Sequence, residues 1–129
     1  AAEAFGDRYL AYAFEYILGA ELILQRRYEE AVLQLAPLVD DPRRDLGRMH
    51  ILVCEALGLA AACSGQVDVA IDALARAYVR RRDMGHLPTV TERRHLRRAY
   101  GELEARIGTS EVDRRLDRAI ENLAAQKRN

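Results

Sequence analysis

Lysine is almost absent: Lys127 is the only one among 20 basic residues, the rest being arginine. So strong a bias fits a GC-rich bacterial genome. Serine is nearly as scarce, with only Ser64 and Ser110, both read as helix caps. No P-loop, dinucleotide fingerprint, HExxH or nucleophile elbow occurs, which leaves no catalytic constellation and the expectation that the chain is not an enzyme. His50, His86 and His95 are widely separated with no second ligand at metal spacing, so they read as surface or boundary residues, and neither metal nor cofactor is expected. The two cysteines, Cys54 and Cys63, lie nine residues apart in one helical stretch. That is about 13–14 Å of rise, too far for a disulfide between them. They read instead as small buried hydrophobes in a reducing compartment. There is no signal-peptide pattern and no apolar run near eighteen residues, so a cytoplasmic protein without a membrane span is expected.

What remains is a helix-forming composition: half the 129 residues are apolar, 31% are charged, and there are only three prolines. This length suits one domain, residues 1–129. The net charge is zero but unevenly spread. Residues 1–42 carry eight acids against Arg8, Arg26 and Arg27, whereas residues 76–98 carry eight arginines against Asp83 and Glu92. The opening AAEAFG has no methionine and reads as helix, so the chain reads as a fragment of something longer.

Gly19, Gly58 and Gly101 recur at separations of 39 and 43 residues, each within an apolar helical run. Ala31 and Ala70 each follow their glycine by twelve residues and begin a second amphipathic stretch. Self-similarity of this period marks stacked helix pairs rather than one closed core. Small residues let two helices approach to about 8 Å, so Gly19 and Gly58 are expected to meet Ala31 and Ala70 at the crossings. Each glycine costs about 1 kcal/mol of helix propensity relative to alanine unless that close approach is used.

The spacing predicts six helices. The first spans 3–26, with Phe5, Tyr9, Tyr12 and Tyr16 on one stripe, and the second spans 28–39, ended by Asp40-Asp41-Pro42. A third, 44–63, stops at Ser64-Gly65, the glycine serving as a left-handed cap; the fourth spans 67–83. After the break at Gly85-His86-Leu87-Pro88, Thr89 with Glu92 forms a capping box for a fifth helix ending near Ile107. Gly108 closes it and Ser110 caps the sixth. Three repeat units follow, 3–41, 44–84 and 88–126, the last rich in Arg, Asp and Glu on its outer face, as a terminal repeat should be.

Leu18-Gly19, Tyr28, Ala31 and Leu35 in the first unit resemble the tetratricopeptide repeat (TPR) family, as do Leu57-Gly58, Gly65, Ala70, Leu74 and Ala77 in the second and Tyr100-Gly101 and Gly108 in the third. The units exceed the usual period of about 34 and are similar to the long repeats of bacterial maltose-activator-like transcription regulators. The resemblance implies an all-α, right-handed solenoid of about three antiparallel helix hairpins, with a concave face that holds a peptide, helix or small ligand. Its inner-face positions fall on Ala13, Tyr16, Ala20, Ile23 and Leu24, then Leu52, Glu55, Leu59, Ala62 and Cys63, and finally His95, Arg98, Glu102 and Arg106. The lysine and asparagine of a carboxylate clamp are missing from the first two units, so the groove is expected to be apolar near the amino terminus and basic towards the other end, suiting either an amphipathic helix or neighbouring repeats outside this fragment.

Two further surfaces stand out. The stripe with Tyr9 and Tyr12 is either core or an interface, self-association included. Arg80, Arg81, Arg82, Arg93, Arg94, Arg97 and Arg98 form either a solvated or salt-bridged face, a contact for an acidic protein, or a nucleic-acid surface. Aromatic residues are not interleaved there, and Glu102, Glu104 and Glu111 offset the charge, so nucleic acid is not the expected partner. The expected function is protein–protein interaction within a bacterial regulatory protein, through a peptide or protein partner or a homo-oligomer. Ligand sensing by a transcription regulator is the alternative.

Overall fold

Left-handed residues at the turns divide the chain into helices. The computed structural model describes residues 2–40, 47–86, 88 and 90–128. In it α1 (Ala2–Leu24), α2 (Tyr28–Val39), α3 (Arg48–Cys63), α4 (Val67–Met84), α5 (Val90–Ile107) and α6 (Thr109–Arg128) follow in order. Among the described residues there is no strand. None of these helices is long and apolar enough to cross a membrane.

The ends of α1, α3 and α4 share one hydrogen-bond pattern, with Gly85 N–H bonded to Arg82 O and His86 N–H to Arg81 O after α4. After α3, Gly65 at φ +80° donates its N–H to Ala62 O at 3.3 Å, and Gln66 donates to Ala61 O at 2.8 Å. This paired arrangement satisfies carbonyls that the helix end would otherwise leave open. After α1 the same bonds run from Arg26 to Ile23 O and from Arg27 to Leu22 O, both 2.9 Å. Here a non-glycine residue, Arg26 at φ 60°, occupies the left-handed position. That turn ends α1 at Leu24, two residues before the expected Arg27-side boundary.

Other boundaries differ for local reasons. Asp40 caps α2, while Asp41, Pro42 and the expected start of α3 at Arg44 lie outside the described residues. Pro37 sits inside α2, in its last turns, with an exposed ring. Thr89 and the side chain of Glu92, the expected capping box, also lie outside the described residues, as does the side chain of Phe5. Ser110 is not a cap: α6 already begins at Thr109, and Val112 N–H bonds back to Gly108 O at 3.1 Å.

α1 packs on α2, α2 on α3, α3 on α4 and α5 on α6; α3 is the hub, touching α1, α2, α4 and α5, while α4 also packs on α6. From His50 to Ala62 every residue of α3 except Leu52 is buried. The two glycines 39 residues apart meet leucines first, and of the expected alanines only Ala70 comes close, its O lying 3.8 Å from a Cβ placed at Gly58. A Cβ at Gly19 would stand 2.4 Å from Leu35 Cδ2, and one at Gly58 would stand 2.6 Å from Leu74 Cδ2. Both leucines lie sixteen residues beyond their glycine and are fully buried. Ala31 and Ala70 are buried beside them and keep the crossings close. Gly101 differs: nothing lies within 4 Å of a Cβ placed there, so the third glycine marks no crossing.

Candidate interaction surface

α1 is apolar on more than one side, and only one side is covered. Tyr12, Gly19 and Ile23 face inward, Tyr12 donating its hydroxyl to Leu38 O on α2 at 3.1 Å. On the other side Leu10, Phe14, Ile17, Leu18 and Leu24 are 45–77% exposed. Their positions, with Glu21 between, follow steps of four and three residues, which place side chains along one stripe of a helix. Among the described side chains, the charges in or beside this stripe are Asp7 and Glu21, with Gln25 Nε2 donating to Glu21 Oε1 at 3.1 Å. Scattered exposed leucines are ordinary on a protein surface, but five large apolar side chains on one contiguous face are not.

The expected inner-face positions separate by burial. Glu55 and Leu59 are buried in α3 and Ile23 in α1, so packing closes all three to a partner. Tyr16, Ala20 and Leu52 are half-buried, and Leu24 is exposed on the open stripe. Tyr12 belongs to the core rather than to an interface, whereas Tyr9 is exposed.

Glu55 is buried because it has a partner that sequence spacing does not suggest. Arg81 of α4 donates Nε to Glu55 Oε2 at 2.6 Å and a second nitrogen to Oε1 at 2.7 Å. This two-pronged pair neutralises both charges inside the protein and removes Arg81 from the arginine surface. Arg98 is exposed, but its guanidinium lies 5.5 Å from the Tyr28 ring centre and bonds the Tyr28 hydroxyl, linking α5 to the start of α2. Arg106 caps the end of α3 through Ala62 O at 3.2 Å and Cys63 O at 3.4 Å. Arg93, Arg94 and Arg97 project from α5 into solvent.

His50, expected at the surface or a boundary, is buried, with its Nε2 3.1 Å from Val39 O and its ring 3.8 Å from Cys54 Sγ. His86 and His95 are exposed. Burial pushes the Cys54 thiol up to about 12, and the half-buried Cys63 thiol is also raised, first by burial. Among the described residues no three His, Cys, Asp or Glu side chains converge in a metal-like group. A cleft of about 290 Å³ between α3, α4 and α6 is lined by His50, Arg76, Val79, Arg80, Asp83, Leu123 and Gln126. Its walls are open and charged, unlike the apolar enclosure usual for small-molecule sites.

Comparison with protein-family models, with curated proteins and with solved structures returns no match. The residues and their geometry therefore carry the functional reading. Of the open stripe, sequence reasoning placed only Leu24 on a binding face; Leu18 entered only as a repeat-matching residue, and Leu10, Phe14 and Ile17 were missed. The available signal was the excess of apolar residues on α1, more than one buried face requires.

Proposed function

We propose that this chain is a protein-interaction module, a TPR-like array of three helix hairpins that docks a helical partner. The observation carrying the reading is the exposed stripe Leu10, Phe14, Ile17, Leu18 and Leu24 on α1. Helix-in-groove and helix-on-helix recognition both use apolar anchors at steps of three and four residues. The repeat arrangement is supported by the Gly19–Leu35 and Gly58–Leu74 contacts, which recur with the same sixteen-residue offset and 39-residue period. It is further supported by Arg26 and Gly65, which are also 39 residues apart and end α1 and α3 with the same bond pattern. The docking surface in this reading is the open stripe rather than the packed positions Glu55 and Leu59. A place in a bacterial regulatory protein is the setting that the TPR resemblance suggests.

The test uses a fluorescein-labelled amphipathic peptide with leucines at steps of three and four and lysines along the rim, matching Asp7 and Glu21. Fluorescence anisotropy should report binding to the protein and its loss in Phe14→Asp. Binding that is unaffected by Phe14→Asp rejects α1 as the docking surface, and no binding at all rejects a leucine–lysine helix as its partner.

A second reading draws on Arg93, Arg94 and Arg97, exposed together on α5. An acidic protein segment would be the partner there, and Arg94→Glu would weaken it without disturbing the fold. Nucleic acid is disfavoured; phosphate-dominated binding would fall steeply between about 50 and 200 mM salt.

A further inference from the structure

We infer that the occupant of the α1 stripe is the same stripe of a second copy, laid antiparallel across a two-fold axis close to Ile17. The inference rests on the docking reading above and names its partner.

The first argument is area. The stripe offers on the order of 600 Å² of apolar surface, at the upper end of the largest patches on ordinary monomers and near the ~800 Å² that each partner gives a standard interface. The second is charge. Asp7 lies at one end of the stripe and Arg26 just past the other, both exposed. An antiparallel pair lays the Leu10 end of one helix over the Leu24 end of the other, which sets each Asp7 against the partner copy's Arg26. A parallel pair would set Asp7 against Asp7 and Arg26 against Arg26. Such a two-fold contact is isologous, so it closes after two copies.

The third argument is the backbone. Arg26 adopts φ 60°, where the equivalent turn after α3 uses Gly65 at φ +80°. A left-handed arginine is disfavoured relative to glycine, and nothing in the turn's own backbone bonds requires its side chain. Pairing across the dimer gives that side chain a role. The opposite end of the molecule is unlike α1: the exposed residues of α5 and α6 are mainly Arg, Asp and Glu. Among the described residues, no other helix carries five large exposed apolar side chains.

Sedimentation velocity on the purified protein from about 5 µM to about 1 mM should show twice the chain mass, with Kd in the micromolar range. Ile17 is 58% exposed, so Ile17→Asp should keep the circular dichroism melt and give monomer at every concentration. Leu10→Asp is the second variant should the first fail to fold. Asp7→Arg and Arg26→Asp should each weaken the dimer about 3- to 10-fold, as rim charges do, and the double exchange should restore it. Arg26→Gly should raise the melting temperature of the monomeric Ile17→Asp background while weakening the dimer in the otherwise unchanged protein.

A single-chain mass up to about 1 mM overturns self-pairing. If the leucine–lysine peptide still binds and Phe14→Asp abolishes it, the docking reading survives that failure; loss of both removes the stripe from either role. A dimer that persists in Ile17→Asp overturns this surface, and failure of the double exchange to restore affinity overturns the antiparallel arrangement.

Discussion

Gly58 and Gly101 have different reasons for being in their helices, and alanine substitution separates them. At Gly58 an added Cβ would stand 2.6 Å and 2.8 Å from Leu74 Cδ2 and Cγ, so Leu74 must leave its packed rotamer or the helices must part. Overpacking of that kind costs about 1–3 kcal/mol, which outweighs the ~1 kcal/mol gain in helix propensity. At Gly101 the space is open, so only the propensity term remains. Gly58→Ala should therefore lower the melting temperature, and Gly101→Ala should raise stability by about 0.5–1 kcal/mol in urea unfolding. Equal effects at the two positions would contradict the unequal crossings. The two thiols form a similar contrast. Burial raises Cys54 from 9.0 to about 12, so its neutral form is favoured by folding. That contribution is complete below the unfolded value near 9 and is lost as pH rises through about 12. At pH 8 a maleimide reagent should label the half-buried Cys63 well before Cys54, whose labelling should wait for unfolding. Mass spectrometry of digested samples reads the order directly.

Between elements, the Glu55–Arg81 pair ties α3 to α4 and makes a polar exception in an otherwise apolar contact. Removing one partner leaves the other charged inside the protein. Arg81→Met should cost about 3–5 kcal/mol, whereas replacing both with apolar residues of similar volume should cost far less. Chemical denaturation of the two single variants and the double variant gives the coupling; additive losses would show that the two side chains do not act as a pair. The same pair shows where the sequence stops being legible. Helix bounds such as Tyr28–Val39, and the stop at Gly65, were readable because turn chemistry is local. The small-residue crossings were readable as positions, but not their partners, because Leu35 rather than Ala31 is decided by how two helices settle together. Glu55 read as an inner-face residue because the TPR resemblance puts that position there, and nothing in a separation of 26 residues announces Arg81. The open stripe was hidden for the opposite reason. With apolar residues on several sides of α1, periodicity cannot tell the covered face from the bare one.

For the molecule as a whole, burial falls off from the middle outward. α3 is buried along nearly its full length and touches four other helices. In α5 and α6 the buried residues among those described are Ala99, Leu103, Val112 and Leu116. A stack whose units touch only neighbours should open from its ends, since each terminal helix can detach without exposing the middle. A closed core would instead open as one cooperative unit. Native-state hydrogen exchange read by mass spectrometry separates the two. In a stack, amides of α3 and the facing turns of α4 should exchange slowest, and those in the last turns of α6 should exchange at least about 100-fold faster. Including Ile17→Asp removes the protection that self-pairing would add to α1, so any residual gradient belongs to the single chain. Uniform protection from α1 to α6 in that variant would mean one closed core, and the TPR-like stack would have to be abandoned. A gradient centred on α3 would fit units that fold against one another in sequence, with α1 keeping an apolar face open to a partner.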